Sequence, residues 1–174
     1  MPSASAPLYR IAFAVGNLAG PLTIGHFFDT IGRRKMIAGT YLLSGILLAI
    51  SAVLFYAGVL NAITQTIAWC IIFYFASAGA SAAYLTVSEI FPLEMRAVAI
   101  SLFYAAGTAL GGFAGPPLFG AMIESGSRHA LFGAYALAAT LMCAAALVAA
   151  FIGVDAERKP LEEVCAPLGS DPAP

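Results

Sequence analysis

The sequence predicts an all-α integral membrane protein with five spanning helices, and three observations predict it. Hydrophobic residues make up 61% of the 174 residues and charged residues only 10%, whereas a soluble domain keeps about a quarter of its residues charged to cover its surface. The charges are bunched, with long uncharged intervals between them, as in a chain that crosses a bilayer repeatedly. Five of those intervals are long enough to cross a hydrocarbon core of about 30 Å, which takes ~20 helical residues. Helices are required there because lipid offers no partner to a backbone amide.

The first span, 11–28, is interrupted by Gly16, Asn17, Gly20 and Pro21, and no basic start precedes it, so it does not read as a signal peptide. The charged segment 29–35 separates it from the second span, 36–58. A short break at 59–62, holding Asn61, leads to the third span, 63–88. Segment 89–96, with Pro92, precedes the fourth span, 97–123, and the polar segment 124–129 precedes the fifth, 130–154. Residues 155–174 read as a tail. Five crossings put the chain ends on opposite sides. Arg33, Arg34, Lys35, Arg96, Arg158 and Lys159 fall on one face, and only Arg10 and Arg128 on the other. The excess of basic residues marks the first face as cytoplasmic, which places the tail inside and Met1 outside. An outside start without a preceding helix makes sense if helices upstream are missing.

Several function classes drop out. A net charge of −1 gives no electrostatic footprint for nucleic acid. Cys70 and Cys143 lie in apolar runs and Cys165 in the tail, without metal-ligand or redox spacing. No metal site and no cofactor is expected. A membrane-embedded enzyme needs a nucleophile, metal ligands or paired carboxylates at membrane depth, and none lies within a span; the two histidines are about a hundred residues apart.

The first span carries Gly-Asn-Leu-Ala-Gly-Pro-Leu-Thr-Ile-Gly at 16–25, and the fourth carries Gly-Gly-Phe-Ala-Gly-Pro-Pro-Leu-Phe-Gly at 111–120. Both fit Gly-x-x-Ala-Gly-Pro-x-x-x-Gly, 95 residues apart. Three helices separate the copies in the repeat, so they run in opposite directions, as in an inverted-topology repeat of three-helix units. Gly16, Gly20 and Gly25, with Gly111, Gly115 and Gly120, are candidate close-packing positions. Pro21 and Pro116 each remove a backbone hydrogen bond and permit a bend. Matched Gly/Pro-interrupted helices also point to a substrate site.

Two loops carry further motifs. Residues 25–34 read Gly-His-Phe-Phe-Asp-Thr-Ile-Gly-Arg-Arg, and 88–96 read Ser-Glu-Ile-Phe-Pro-Leu-Glu-Met-Arg. The first resembles the loop signature of the major facilitator superfamily, Gly-x-x-x-Asp-Arg/Lys-x-Gly-Arg-Arg/Lys, with Thr30 in place of the usual basic residue. The second resembles the Glu-x-x-Pro-x-x-x-Arg element of its sugar and metabolite porters. Residues 156–163, Ala-Glu-Arg-Lys-Pro-Leu-Glu-Glu, look like a degraded sugar-porter ending. The tail sets the frame: the resemblance implies helices eight to twelve of a twelve-helix major facilitator fold. It also implies that Asp29, Arg33, Arg34, Glu89 and Arg96 form a cytoplasmic ion-pair network acting as a conformational latch. Exposed pairs are individually worth ~0–1 kcal/mol, yet a network made in one state only can bias an equilibrium of a few kcal/mol. The plainer alternative is that the basic residues merely fix topology; the two are compatible.

A polar stripe runs along the third span at Tyr74, Ser77, Ser81, Tyr84 and Ser88, and another along the fourth at Ser101, Tyr104, Thr108, Gly111 and Gly115. Spacings of three and four residues put each set on one helix face. The fifth span offers only Tyr135, Thr140 and Cys143 among aliphatics, as in a peripheral, lipid-facing helix. In the family the equivalents of the first, third and fourth spans line the cavity, which makes Asn17, Tyr74, Ser77, Ser81, Tyr84, Tyr104 and Thr108 candidate lining residues. The alternative is that the hydroxyls bond to their own backbone carbonyls. Tyr84 stands where sugar porters usually have tryptophan, which weakens a hexose assignment.

No Asp, Glu, Lys or Arg lies deep within a span, whereas ion-coupled carriers place a titratable group at membrane depth. The protein is therefore either a uniporter or the partner of a coupling proton through a missing N-terminal half, and the second is favoured. The expectation is transport of a small solute such as a sugar or organic acid by alternating access, in the bilayer of the cell membrane, by a portion inactive alone. A non-transporting membrane subunit or receptor-like relative is the alternative.

Overall fold

The computed structural model describes residues 6–154. Its five spans are α1 (Ala6–Thr30), α2 (Arg33–Tyr56), α3 (Ala62–Ile90), a composite fourth span and α6 (Arg128–Ile152). The fourth span, Arg96–Glu124, consists of α4 (Arg96–Thr108), a π-helical turn over Ala109–Phe113, and α5 (Ala114–Glu124). All five are long and apolar enough to cross a membrane, and no strand occurs among the described residues. The helices overrun the apolar intervals by a few residues at the charged ends, since a helix continues through the headgroup region where composition turns polar. The tail 155–174, with Arg158, Lys159, Cys165 and the ending at 156–163, lies outside the described residues.

Local chemistry sets each boundary. Gly32 links α1 to α2 with φ of 116°, a conformation that costs a glycine little and strains any side chain. Asn61 starts α3 through a capping box: its Oδ1 accepts from the amides of Ile63 and Thr64 at 3.0 and 2.9 Å, and Thr64 Oγ1 accepts from the Asn61 amide at 2.9 Å. Pro92 forces its predecessor Phe91 out of the helical region (φ −112°, ψ 145°) and so ends α3. Ser127 caps α6 by accepting from the Ala130 amide.

The helices associate through small residues, because packing rather than hydrophobicity brings spans together in lipid. A Cβ on Gly45 of α2 would lie 2.7 Å from Cys143 Sγ and 3.1 Å from the Ala139 carbonyl of α6. A Cβ on Gly79 of α3 would lie 2.6 Å from Thr40 Oγ1 of α2. Ser44, wholly buried, donates to the Thr40 carbonyl at 2.8 Å and the Ile72 carbonyl at 3.1 Å, tying α2 to α3. Two apolar clusters fill the layers: Phe28, Ile37, Ala78 and Ala82 near the Arg33 end, and Leu48, Ile72 and Ala139 deeper. α1 packs on α3 and α2 packs on both α3 and α6. One face of α6 thus rests on α2 through Ala134, Ala139 and Ala146, and Leu141, Leu147 and Val148 are exposed on it. The fourth span has no buried residue.

Candidate functional site

Helix direction brings the ends of α1, α3 and α6 together with the starts of α2 and the fourth span. At this end the two-residue link at Gly32 lets Asp29 and Arg33 face each other across the α1–α2 turn. Arg33 Nη2 and Nε donate to Asp29 Oδ1 at 3.0 and 3.3 Å, and Nη1 donates to Glu89 Oε2. One guanidinium therefore holds α1, α2 and α3 together. Its side chain is only 6% exposed, against 21% for Glu89 and 53% for Asp29.

Each of these charges sits at the helix end its own dipole disfavours. Asp29 and Glu89 lie in the last turns of α1 and α3, and Arg33 opens α2. Backbone carbonyls make a helix C-terminus partly negative and amides make an N-terminus partly positive. Pairing the cation of one helix with the anions of two others offsets all three penalties at once.

Arg34 takes no carboxylate. Its Nε donates to the Ala150 carbonyl at 2.8 Å, and Nη2 reaches the same oxygen, so it caps the C-terminus of α6. Arg96 opens the fourth span, and its buried Nε has no hydrogen-bond partner among the described residues. Of the five residues expected in an ion-pair network, the structure joins Asp29, Arg33 and Glu89 and leaves Arg34 and Arg96 apart from them. The carbonyl of Ala150 carries no sequence signal, which is why the split between neighbouring arginines is invisible without the fold.

The glycines of the repeat divide in the same way. A Cβ on Gly16 would lie 3.0 Å from the Cys70 carbonyl, and one on Gly20 would lie 1.9 Å from the Tyr74 carbonyl. Both pairs have the same offset, so α1 and α3 run parallel with their backbones in contact. Around Gly25, Gly111, Gly115 and Gly120 nothing lies within 4 Å of such a Cβ. Pro21 lies within the continuous helix α1. Pro116 and Pro117 lie in the first turn of α5, just beyond Ala114 and Gly115, which follow the π-helical turn.

Among the polar candidates, Tyr74 meets Thr23 of α1 at 2.5 Å. The Thr23 proton is given to the Ala19 carbonyl at 2.7 Å, so Tyr74 is the donor. Thr23 was not among the candidates; only the parallel register of α1 and α3 puts it opposite Tyr74. Tyr84 packs edge-on against Phe103 at 5.3 Å and lies 6.0 Å from Tyr104, joining α3 to the fourth span. Asn17, Ser81, Tyr84, Tyr104 and Thr108 are exposed and Ser77 half-buried. Ser88 and Ser101 donate to their own helix, at Leu85 and Ala97. Among the described residues, no three His, Cys, Asp or Glu side chains converge as metal ligands.

The Major Facilitator Superfamily sequence profile matches residues 4–167. The chain belongs to this superfamily. Its members are transporters, and this is a multi-pass membrane protein in contact with lipid and small solutes. Comparison with curated proteins and with solved structures gives no match. The superfamily assignment rests on the profile together with the five-helix fold.

Proposed function

We propose that the chain forms the C-terminal wall, helices eight to twelve, of a secondary transporter that moves a small polar solute such as a sugar or organic acid by alternating access. The observation that carries this reading is the set of exposed or half-buried hydroxyl and amide groups on α1, α3 and the fourth span that have no hydrogen-bond partner among the described residues. Asn17, Ser77, Ser81, Tyr84, Tyr104 and Thr108 offer donors and acceptors to a polyhydroxylic solute, and Tyr74 is anchored to Thr23. Asp29, Arg33 and Glu89 act as the latch of the cytoplasmic end, since a buried guanidinium that bridges three helices resists their separation. Arg34 ties that end of α2 to α6 through the Ala150 carbonyl, and Arg96 opens the fourth span beside it. A coupling proton, where one is used, binds outside these five helices, because no carboxylate lies at membrane depth in them.

A cavity between two halves needs two walls, so this chain by itself does not transport. The test joins the chain, behind seven helices of a family sugar porter, into one polypeptide. Cells producing the chimera are expected to accumulate at least one solute from a panel of labelled sugars and organic acids, and Tyr84→Ala is expected to raise KM about tenfold. Liposomes holding the chain alone are expected to match empty ones. A chimera that elutes as a folded monomer and moves nothing in the panel would refute the reading.

A further inference from the structure

Proline takes a hydrogen-bond donor out of a helix, and the spans carry Pro21, Pro116 and Pro117 near the middle of their length. Pro21 leaves the carbonyl of Asn17 without the amide four residues on, and Pro116 and Pro117 do the same to Gly112 and Phe113. Thr23, Thr86, Ser101 and Thr140 bond back to carbonyls of their own helices, and no hydroxyl among the described residues reaches these three oxygens. A carbonyl without a donor is costly in lipid, and a span tolerates it where it is buried in protein or lines a watery cavity. Asn17, Gly112 and Phe113 are all exposed in the bundle.

The bared carbonyls lie at similar depth. Asn17 stands 13 residues from the Arg33 end of α1, and Gly112 stands 16 from the same end of the fourth span. At 1.5 Å per residue their heights agree to about 5 Å.

They are also open to approach. Gly16 and Gly20 lie against the α3 backbone. Asn17 and Pro21, one residue on and about 100° round the helix, stand beside that contact. On the fourth span nothing lies within 4 Å of a Cβ built on Gly111 or Gly115, and one on Gly112 meets only Thr108 Cγ2, at 3.7 Å. The π-helical turn over Ala109–Phe113 ends at the same carbonyls, and such turns recur at functional sites. α3 lies between the two spans, packed on α1 and meeting the fourth through Tyr84.

A carbonyl has lone pairs and no proton. It accepts from a hydroxyl or an ammonium and repels the oxygens of a carboxylate, and no Lys or Arg deep in either span answers an anion. We propose that the carbonyls of Asn17, Gly112 and Phe113 are backbone subsites for the solute, which presents hydroxyl or ammonium protons to them and no carboxylate. This rests on the transport reading and narrows it to solutes with proton donors on the side that meets α1 and the fourth span.

The test has two arms, and the first needs no transport. Asn17-Leu18 and Gly112-Phe113 are the only Asn-Leu and Gly-Phe pairs in the sequence. Carbonyl-labelled Asn and Gly with amide-labelled Leu and Phe therefore isolate two of the three carbonyls in magnetic resonance spectra of the full chain in lipid nanodiscs. Both are expected at the resonance of a carbonyl without a hydrogen bond. Pro21→Ala is expected to move the Asn17 signal alone to the helical position, and Pro116→Ala the Gly112 signal alone. Helical positions in the unsubstituted chain overturn the proposal. The second arm uses the chimera of seven sugar-porter helices with this chain. A solute that it accumulates is compared with analogues lacking one donor: fluorine for a hydroxyl, which keeps the size, or trimethylammonium for ammonium, which keeps the charge. Loss of the donor is expected to raise KM about tenfold at one position, the worth of one hydrogen bond. Pro21→Ala, or Pro116→Ala with Pro117→Ala, is expected to bring the KM values of parent and analogue together, as coupled partners do. A helix that is merely straightened weakens both alike and leaves their ratio unchanged. That result, or uptake of a solute whose polar groups are all carboxylates, overturns the subsites and leaves the transport reading standing. A chimera that moves nothing ends both.

Discussion

At the scale of single residues, two glycines of one motif separate packing from propensity. Gly20 and Gly25 share a helix and five residues of sequence, yet a Cβ would lie 1.9 Å from the Tyr74 carbonyl at the first and meet nothing within 4 Å at the second. Gly20→Ala is expected to destabilise the bundle by about 1–3 kcal/mol, as overpacking does. Gly25→Ala is expected to be neutral or to stabilise by up to about 1 kcal/mol through helix propensity. Thermal melting in one detergent measures both, and equal effects would contradict the α1–α3 contact. The Arg33 cluster makes a second residue-level prediction. Because either carboxylate alone still partners the guanidinium, Glu89→Gln and Asp29→Asn should each cost about 1 kcal/mol. The double substitution leaves a nearly buried cation unpaired and should cost about 3–5 kcal/mol. Additive losses would show that Arg33 reaches water when its partners go.

At the scale of helices, apolar intervals and the charged or polar breaks between them made most of the fold legible, and proline made part of it illegible. Five spans follow from apolar intervals, because a bilayer imposes both length and helicity. The same Gly-Pro step has different surroundings in its two copies. Pro21 is a single proline in a continuous α1, while Pro116 is followed by Pro117. Two successive missing N–H groups free the carbonyls of Gly112 and Phe113, and the π-helical turn over Ala109–Phe113 lies directly upstream. Substituting both, Pro116→Ala with Pro117→Ala, is expected to convert that turn to α-helix and slow amide exchange across it at least tenfold. Unchanged exchange would assign the π turn to Gly111 and Gly112 instead. At the candidate site, the loop motifs singled out five charges and not how they pair. Asp29 and Arg33 are neighbours in sequence, so their contact was readable. The Ala150 carbonyl under Arg34 and the hydroxyl of Thr23 beside Tyr74 depend on helix registers that hydropathy does not encode.

At the scale of the molecule, the arrangement of charges and the arrangement of helices have to agree on sidedness. The ion pairs of Arg33 with Asp29 and Glu89 require the α1–α2 turn and the end of α3 to share one side of the bilayer. Ile31 and Met95, both exposed in the adjoining segments, share that side, and Val59 and Ser125 lie in the turns at the opposite end. Among the described residues Arg33, Arg34, Lys35 and Arg96 lie at the first end and Arg10 and Arg128 at the second. An excess of basic residues in short loops fixes the cytoplasmic side, so the first end is expected inside. Single cysteines at Ile31, Met95, Val59 and Ser125, in a background without Cys70, Cys143 and Cys165, test this in intact cells. A membrane-impermeant maleimide should label Val59→Cys and Ser125→Cys at once, and Ile31→Cys and Met95→Cys only after permeabilisation. Complete inversion of the pattern would leave the bundle intact and reverse the latch to the outer face. Ile31→Cys and Met95→Cys labelled from different sides is the outcome the fold cannot accommodate, because an ion pair does not form across 30 Å of hydrocarbon, and the latch and the inverted repeat would fail together.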